Sequence, residues 1–437
     1  MTISWIKTII RKSSLVQDIA YTMTSFLVLA ISGVIINIVI TLTRDTQSLG
    51  VFNLSYIIYL ILAQIATIGV QYSVLRNSAR YKNDGTILGK LLGTGALMSL
   101  FSGIFIACFL YWLCHQLKPF FRSESTSLAI AYSTFGLMLF PLNKVSQAYL
   151  NGLRRMKAFS IIQGLRYIMV MILVSIVSIS SLPIEYATLS FLAAELITAI
   201  FCWRYICTKT PLGPLVFDIT WMKNHWLFGI NAFWFTILAD VNSKMDVILI
   251  ALFVNEKSVG IYSFLAMLID GLYHALAMIR INFNPTLVVV LSENRWDDAQ
   301  QMLVKSKQYV FPITLILAFL IIICFYVFSV LIAPEKGLQQ GILPLFILLA
   351  GVTTISFLIP FDNLLVVSGY PGYQTMQQIA VVLSNLTVTT ILIFNMGIIG
   401  AAIGTIIGYL AGVAVLIILT RRLIGWNLVS NTYCGVN

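Results

Sequence analysis

Charged residues are scarce in this chain. Lysine, arginine, aspartate and glutamate make up 10% of its 437 residues, and hydrophobic residues make up 59%. An ordinary soluble domain carries about 25% charged residues. The apolar runs are roughly 20 residues long, enough to cross a bilayer as helices, and they lack the alternating pattern of barrel strands. We therefore predict an all-α polytopic membrane protein.

Signals for enzyme chemistry are also missing. The six cysteines show neither metal-ligand spacing nor a disulfide framework. The stretch GTILGKL at Gly85 lacks the spacing of a Walker A motif, which argues against ATP hydrolysis by this chain. No loop exceeds roughly 20 residues, which leaves little room for the catalytic domain of a membrane glycosyltransferase. We expect a transporter rather than an enzyme, with no cofactor and no metal.

Hydropathy predicts twelve membrane-spanning helices, numbered here as spans 1 to 12. They cover residues 20–42, 51–75, 88–113, 128–150, 161–181, 184–206, 227–253, 258–291, 310–332, 342–368, 376–395 and 397–420. With the N-terminus inside, the cytoplasmic segments hold 18 lysines and arginines and the outer loops hold five. This asymmetry predicts that both termini are cytoplasmic. The net charge of +11 follows from this topology, so we expect no nucleic-acid partner.

Three short stretches each have a similar counterpart later in the chain. SLGVFNL at Ser48–Leu54 and SVGIYSF at Ser258–Phe264 begin spans 2 and 8. PLN at residues 141–143 parallels PFD at 360–362, and LNG at 150–152 parallels VSG at 367–369. Because six spans return a chain to its starting side, the repeat predicts two lobes of the same orientation. We predict an N-terminal six-helix lobe at residues 1–207, a cytoplasmic linker at 208–226, and a C-terminal six-helix lobe with a short tail at 227–437.

Two longer stretches resemble a known family. DVILIALFVNEKSVGIYSFLAMLID, residues 246–270, resembles the signature of spans 7 and 8 in bacterial polysaccharide flippases. There an aspartate opens an aliphatic run and Gly-x-Tyr starts the next helix. NPTLVVVLSENRWDDAQQMLVKS, residues 284–306, resembles the segment that follows. The family is the Wzx-type O-antigen flippases of the multidrug/oligosaccharidyl-lipid/polysaccharide (MOP) superfamily.

The resemblance implies a fold and a function. It implies two six-helix lobes, arranged as in MATE transporters, around a central cavity. It also implies that the chain flips undecaprenyl-pyrophosphate-linked oligosaccharide from the cytoplasmic to the periplasmic leaflet of a bacterial inner membrane, for lipopolysaccharide synthesis. The expected partners are the lipid-linked oligosaccharide, membrane lipids, and a polysaccharide polymerase with its chain-length proteins.

Charges inside the spans point to the transport path, because a charge at a helix centre costs about 2.5–3.5 kcal/mol. Pyrophosphate requires cations, and sugars require amides or hydroxyls. The predicted substrate-translocation residues are Lys144, Arg166, Lys244, Arg280, Gln64, Gln71 and Gln147. Two alternatives remain open for them: Lys144 and Arg166 could snorkel to the inner headgroups, and the glutamines could simply join helices.

The acidic residues and one histidine of the spans are candidates for ion coupling or charge tuning. They are Asp240, Asp246, Asp270 and His274, with Glu195 and Asp362 as further candidates. Asp240 and Lys244 are spaced i,i+4 and could neutralise each other. Asp270 and His274 share the same spacing, which fits a structural hydrogen bond or proton exchange. Asp246 points away from Lys244 and must meet another helix or water.

Other functions remain open at this point. A drug/cation antiporter of the MATE type would share the architecture but favour an acidic, aromatic pocket. A lipid II flippase would usually have fourteen spans. A polytopic polysaccharide polymerase or ligase belongs to a different class, and the short loops disfavour it. The cations in spans 4, 5, 7 and 8 favour an anionic substrate.

Overall fold

The computed structural model describes residues 14–121 and 123–433, which are almost entirely helical. The first half contains α1 (Ser14–Thr43), α2 (Thr46–Thr67), α3 (Val70–Arg80), α4 (Gly85–Phe121), α5 (Glu124–Leu137), α6 (Phe140–Gly152), α7 (Met156–Ile179) and α8 (Ser190–Lys209). The second contains α9 (Ile219–Phe253), α10 (Glu256–Ser292), α11 (Trp296–Lys305), α12 (Phe311–Tyr326), α13 (Ile342–Ile355), α14 (Leu364–Val367), α15 (Pro371–Met396) and α16 (Ile398–Leu423). A short hairpin follows, with β1 at Trp426–Asn427 and β2 at Thr432–Tyr433.

The number and length of the apolar helices confirm a polytopic membrane protein. Within the described residues, ten helices are long and apolar enough to cross a membrane. The bent pair α5 and α6, with an angle of 43° between them, would be an eleventh span. The predicted span 227–253 lies in α9, where eight side chains between residues 231 and 240 are outside the described part of the structure.

The chain divides into two compact units. Unit 1 contains residues 1–44 and 51–240, and unit 2 contains residues 45–50 and 241–437. The division therefore falls between Asp240 and Val241, inside helix α9. Most of the predicted N-terminal lobe, the predicted linker and the first half of α9 form unit 1.

Helix breaks and close helix contacts characterise unit 1. Helix α1 packs along α7, and α3 packs against α6. The core beneath α3 and α6 includes Val74, Leu88 and Tyr149. Predicted span 2 is broken, because α2 ends at Thr67 and α3 begins only at Val70. Predicted span 4 is likewise divided into α5 and α6.

Residues 210–218 of the predicted linker lie along α4 as a non-helical segment of unit 1, whereas residues 208–209 end α8 and residues 219–226 begin α9. Three glycines on one face of α4, at positions 85, 89 and 93, meet the backbone of residues 211–216. A Cβ atom on Gly89 would lie 2.3 Å from the Pro214 carbonyl oxygen. The Gly213 amide donates to the Gly85 carbonyl at 2.8 Å. A side chain at these positions would push the linker away, so the glycine spacing fixes the linker to unit 1.

Unit 2 is built around α10, α13 and the antiparallel helices α15 and α16. The C-terminal hairpin closes one end of this unit. Trp426 is fully buried in a cluster with Leu287, Leu303 and Phe361, and Tyr433 stacks on Trp296 with ring centroids 3.9 Å apart. The hairpin is therefore part of the hydrophobic core of unit 2.

The first turn of α2 also belongs to unit 2, where it packs on the start of α10. A Cβ atom on Gly50 would lie 2.0 Å from the Glu256 carbonyl oxygen. A Cβ on Gly260 would lie 1.9 Å from the Thr46 carbonyl oxygen. Gly50 and Gly260 are the glycines of the repeated stretches SLGVFNL and SVGIYSF, so the two copies of this repeat pack on each other.

Candidate functional site

A buried ion pair lies in the middle of unit 1. Arg166 on α7 and Glu195 on α8 are joined by a 2.7 Å contact between Nε and Oε1. The Tyr59 hydroxyl donates to Glu195 Oε1 at 3.1 Å, and the Asn143 amide donates to Oε2 at 2.7 Å. Arg166 is 9% exposed and Glu195 is 1% exposed. The carboxylate is thus satisfied by three donors from three other helices.

This pair limits what Arg166 can do. Its guanidinium also lies over the Phe140 ring, 4.6 Å from the centroid, in a cation–π contact. The charge of Arg166 is balanced before any substrate binds, and the side chain does not snorkel to the headgroups. The position favours a structural role, in which the pair joins α7 to α8.

Lys144 and Gln147 lie on α6, close to this network. The Lys144 ammonium lies 5.4 Å from the centroid of the Phe140 ring, and the residue is partly exposed. Gln147 is buried, with 5% of its surface exposed. Lys144 is therefore the more accessible of the two predicted cations in unit 1.

A narrow cleft opens where predicted span 2 is broken. Its lining residues are Gln64, Gly69, Gln71, Tyr72, Phe233 and Ile237. Two of the predicted glutamines, Gln64 and Gln71, therefore face the same space. The third, Gln147, does not line it.

The ion pairs of unit 2 are more accessible. Lys244 on α9 meets Asp270 on α10 at 2.6 Å, and the two side chains are 26% and 34% exposed. Asp270 pairs with Lys244 rather than with His274, whose side chain is exposed. The side chain of Asp240 lies outside the described residues. The pairing suggested by spacing for Asp270 and His274 is thus replaced by a contact between helices.

Arg280 forms the second accessible pair. It meets Asp362 at 2.7 Å, and both side chains are about one-fifth exposed, at 21% and 22%. Two buried glutamines of α15 extend the network, because Gln374 donates to Gln377 at 2.9 Å and Gln377 donates to Asp362 at 3.3 Å. Arg280 Nε has no hydrogen-bond partner in the described part of the chain. This guanidinium can therefore donate a further hydrogen bond to an anion.

Asp246 on α9 has a different environment. The Thr405 hydroxyl donates to its Oδ2 at 2.6 Å, and the Tyr262 hydroxyl lies 3.5 Å from the same atom. Asp246 is 7% exposed, and Oδ1 is buried without a hydrogen bond to any described residue. The described ion pairs do not include this carboxyl. It could therefore hold a proton or a small cation.

Several members of these networks were not singled out from the sequence. Tyr59, Tyr262 and Thr405 were missed because a hydroxyl in a span has no charge to mark it, and Gln377 was missed although other glutamines of the spans were singled out. One signal was present in the repeats. PLN and PFD place Asn143 and Asp362 at equivalent positions, and each residue binds the acid or the arginine of its own unit.

Comparisons with known proteins identify the family and the fold of the chain. The profile of a family described as "Polysaccharide biosynthesis protein" matches residues 15–281, more than half of the chain. No curated protein sequence matches. A structure of the lipid II flippase MurJ, in an inward closed conformation, is similar with a TM-score of 0.74 and 14% identity, covering 92% of this chain and 88% of MurJ.

Two transporter structures share the fold as well. An inward-facing MATE multidrug transporter of the MOP superfamily has a TM-score of 0.72 and 14% identity, covering 88% of this chain and 92% of its own. A MATE transporter from Vibrio cholerae has a TM-score of 0.60 and 16% identity, covering 95% and 97%.

Proposed function

Because the chain belongs to the polysaccharide biosynthesis protein family, we propose that it flips undecaprenyl-pyrophosphate-linked O-antigen or related oligosaccharide units. Movement is from the cytoplasmic to the periplasmic leaflet of a bacterial inner membrane, by alternating access. The chain acts as a carrier and catalyses no covalent step. Both termini lie in the cytoplasm. A polysaccharide polymerase and its chain-length proteins would receive the flipped units.

This proposal rests on two accessible ion pairs that lie inside helices of unit 2. Lys244–Asp270 and Arg280–Asp362 are each between one-fifth and one-third exposed. A buried pair such as Arg166–Glu195 is already satisfied on every side. Holding an accessible pair in the membrane costs little free energy, and its cation can still contact an anion of the substrate.

Pyrophosphate fits these cations chemically. A phosphate oxygen can accept from the Lys244 ammonium and from the unpartnered Nε of Arg280, both as charge-assisted hydrogen bonds. The carboxylates of Asp270 and Asp362 compensate the cations when no substrate is bound. Substrate binding then exchanges one anionic partner of the cation for another, and the released carboxylate takes up a proton or is solvated by water.

We assign Asp246 to ion coupling and the Asp270 and Asp362 carboxylates to charge tuning. Asp246 belongs to none of the described ion pairs, so a proton or a sodium ion on its carboxyl would neutralise a buried charge. This is also the feature that favours the rival function, a MATE-type drug/cation antiporter. The two functions differ in the charge of the transported molecule.

A reconstituted transport assay distinguishes them. Vesicles would contain the purified chain and undecaprenyl-pyrophosphate-linked oligosaccharide extracted from polysaccharide-producing cells. We expect the chain to raise the rate at which membrane-impermeant periodate oxidises the inner-leaflet sugar. Protein-free vesicles provide the baseline. Ethidium uptake driven by a proton or sodium gradient, without sugar movement, would contradict the flippase function and favour the antiporter.

A further inference from the structure

The break in predicted span 2 is held in a strained conformation. Ile68 has φ 48° and Gly69 has φ 72°, both in the left-handed region. Isoleucine is β-branched, so positive φ at this residue is an outlier. Such strain persists only where the surroundings enforce it, and it concentrates at functional sites. Here Gly229 of α9 packs against the break. A Cβ atom on Gly69 would lie 2.2 Å from the Gly229 carbonyl oxygen.

The cleft beside this break contains an amide group without a partner. Gln71 is 9% exposed, and its Oε1 is buried without a hydrogen bond to any described residue. A buried polar atom normally has a partner, because an unpaired one loses its bonds to water. Gln71 lines the cleft, so a ligand there would supply the missing hydrogen bond.

The chemistry of the lining favours a sugar over a phosphate. The polar side chains are the amides of Gln64 and Gln71 and the phenol of Tyr72, and the described lining residues include no charged side chain. Amides and hydroxyls can both donate and accept, as sugar hydroxyls do. Phe233 adds an aromatic ring on which the C–H face of a pyranose can pack. A phosphate would instead require a cation.

The cleft is close to the side where the substrate would enter. Helix α3 continues from the break to Arg76, which belongs to the predicted cytoplasmic basic segment. Seven residues of helix correspond to about 10 Å, so the predicted topology would place the cleft just inside the inner headgroup layer. It is narrow in this conformation, so a sugar ring would require α3 or α9 to move aside at the break.

We propose that this cleft is a carbohydrate subsite, which binds one sugar ring of the lipid-linked oligosaccharide through Gln71 and Phe233. The proposal rests on the proposed function, since it assigns the sugar part of the same substrate. The pyrophosphate would be bound elsewhere, by the cations described above. Sugar and phosphate recognition are therefore separable by mutation.

Binding to two lipids tests the subsite. The full chain in nanodiscs would be titrated with undecaprenyl-pyrophosphate-linked oligosaccharide and, separately, with undecaprenyl pyrophosphate. Gln71→Leu should weaken binding of the first lipid about tenfold, the loss expected for one buried hydrogen bond, and leave the second unchanged. Phe233→Leu should act in the same direction. The matched control is Asn77→Ala, on the same helix, whose side chain bonds to Ser73 within α3; it should change neither.

The outcomes distinguish a failure of the carbohydrate subsite from a failure of the proposed flippase function. Equal weakening for both lipids in both variants, or no weakening in either variant, would show that the cleft does not bind sugar. Failure of the wild-type chain to bind either lipid would contradict the proposed function and the subsite with it. Thermal unfolding of each variant in the same nanodiscs shows whether a loss of binding reflects a loss of folding.

Discussion

Ion pairs inside the helices differ in burial, and burial separates their roles. Arg166–Glu195 is nearly inaccessible, whereas the pairs of unit 2 are partly exposed. Removing one partner of a buried pair leaves an uncompensated charge, while removing both leaves none. The accessible pairs should tolerate the loss of one partner better, because water or substrate can reach the remaining charge.

Glu195→Gln should destabilise unit 1 strongly. The change leaves Arg166 buried without a counter-charge, and breaking a buried pair costs about 3–5 kcal/mol. Thermal unfolding in detergent should show a lower midpoint. The double change Arg166→Met with Glu195→Gln should recover much of the loss, because no charge remains. A midpoint for Glu195→Gln equal to that of the wild-type chain would contradict a structural role for the pair.

His225 should make the stability of unit 1 sensitive to acid. It precedes predicted span 7, is fully buried, and contacts the Ser73 hydroxyl at 2.8 Å and the Leu91 carbonyl at 3.1 Å. Burial lowers the pKa of His225 below its ordinary value. The unfolded chain therefore takes up a proton near pH 6.5 while the folded chain does not, so stability is present above that pH and falls as pH drops below it.

A pH series of unfolding measurements would show this effect. The wild-type chain should lose stability between about pH 7 and pH 5, and His225→Gln should lose less over the same range. The control is His274→Gln, because His274 is exposed. Identical pH profiles for His225→Gln and the wild-type chain would rule out this contribution.

The sequence located the charges inside the helices but did not predict how they pair. Spacing i,i+4 indicates neighbours on one helix, and it suggested His274 for Asp270. The structure joins Asp270 to Lys244 on a different helix, and it joins Arg280 to Asp362, 82 positions away. Contacts between helices depend on packing, which a single sequence does not contain. Gln64 and Gln71 were predicted from the sequence, but the helix break between them was not.

At the scale of helices, the repeated glycines have a packing reason. Gly50 and Gly260 allow the starts of α2 and α10 to approach until backbone touches backbone. Small residues commonly permit such contacts in membranes. The repeat was readable from the sequence, whereas the contact between its two copies was not. The break after Thr67 was also hidden, because glycine is common in membrane helices and does not by itself predict a break.

Gly260→Ala should disrupt the contact at the start of α10. A methyl group there would lie 1.9 Å from the Thr46 carbonyl oxygen, so the two helices must separate. We expect a lower unfolding midpoint and reduced flipping. The matched control is Gly271→Ala on the same helix, where a Cβ atom meets nothing within 4 Å; there the change should be neutral or slightly stabilising. Equal midpoints for the two variants would contradict the packing role of Gly260.

At the scale of the whole molecule, composition was the strongest source of information. The scarcity of charge and the length of the apolar runs predicted an all-α polytopic protein, which the structure confirms. The place where the chain divides into units was harder to predict. Composition marks the Pro- and Gly-containing stretch 208–226 as a linker, but glycines of α4 bind part of that stretch to unit 1. The division instead falls inside α9, where neither glycine nor proline marks a boundary between residues 230 and 253.

The topology prediction can be tested by labelling. The positive-inside rule places Glu256 in the periplasm and Arg155 in the cytoplasm. In a background without native cysteines, Glu256→Cys should react with a membrane-impermeant maleimide added to intact cells. Arg155→Cys should react only after the membrane is opened. External labelling at position 155 would overturn the twelve-span topology.

The central claim is that an accessible cation inside the membrane binds the pyrophosphate of the substrate. The most direct measurement is the flipping rate of reconstituted chain carrying Lys244→Gln together with Asp270→Asn. The double change leaves no unpaired charge, so folding should be retained, while the loss of a charge-assisted bond should slow flipping about tenfold or more. Arg295→Gln, in an exposed ion pair with Glu293, is the control and should keep the wild-type rate. A folded double variant that flips lipid-linked oligosaccharide as fast as the wild-type chain would contradict the claim and make this pair purely structural.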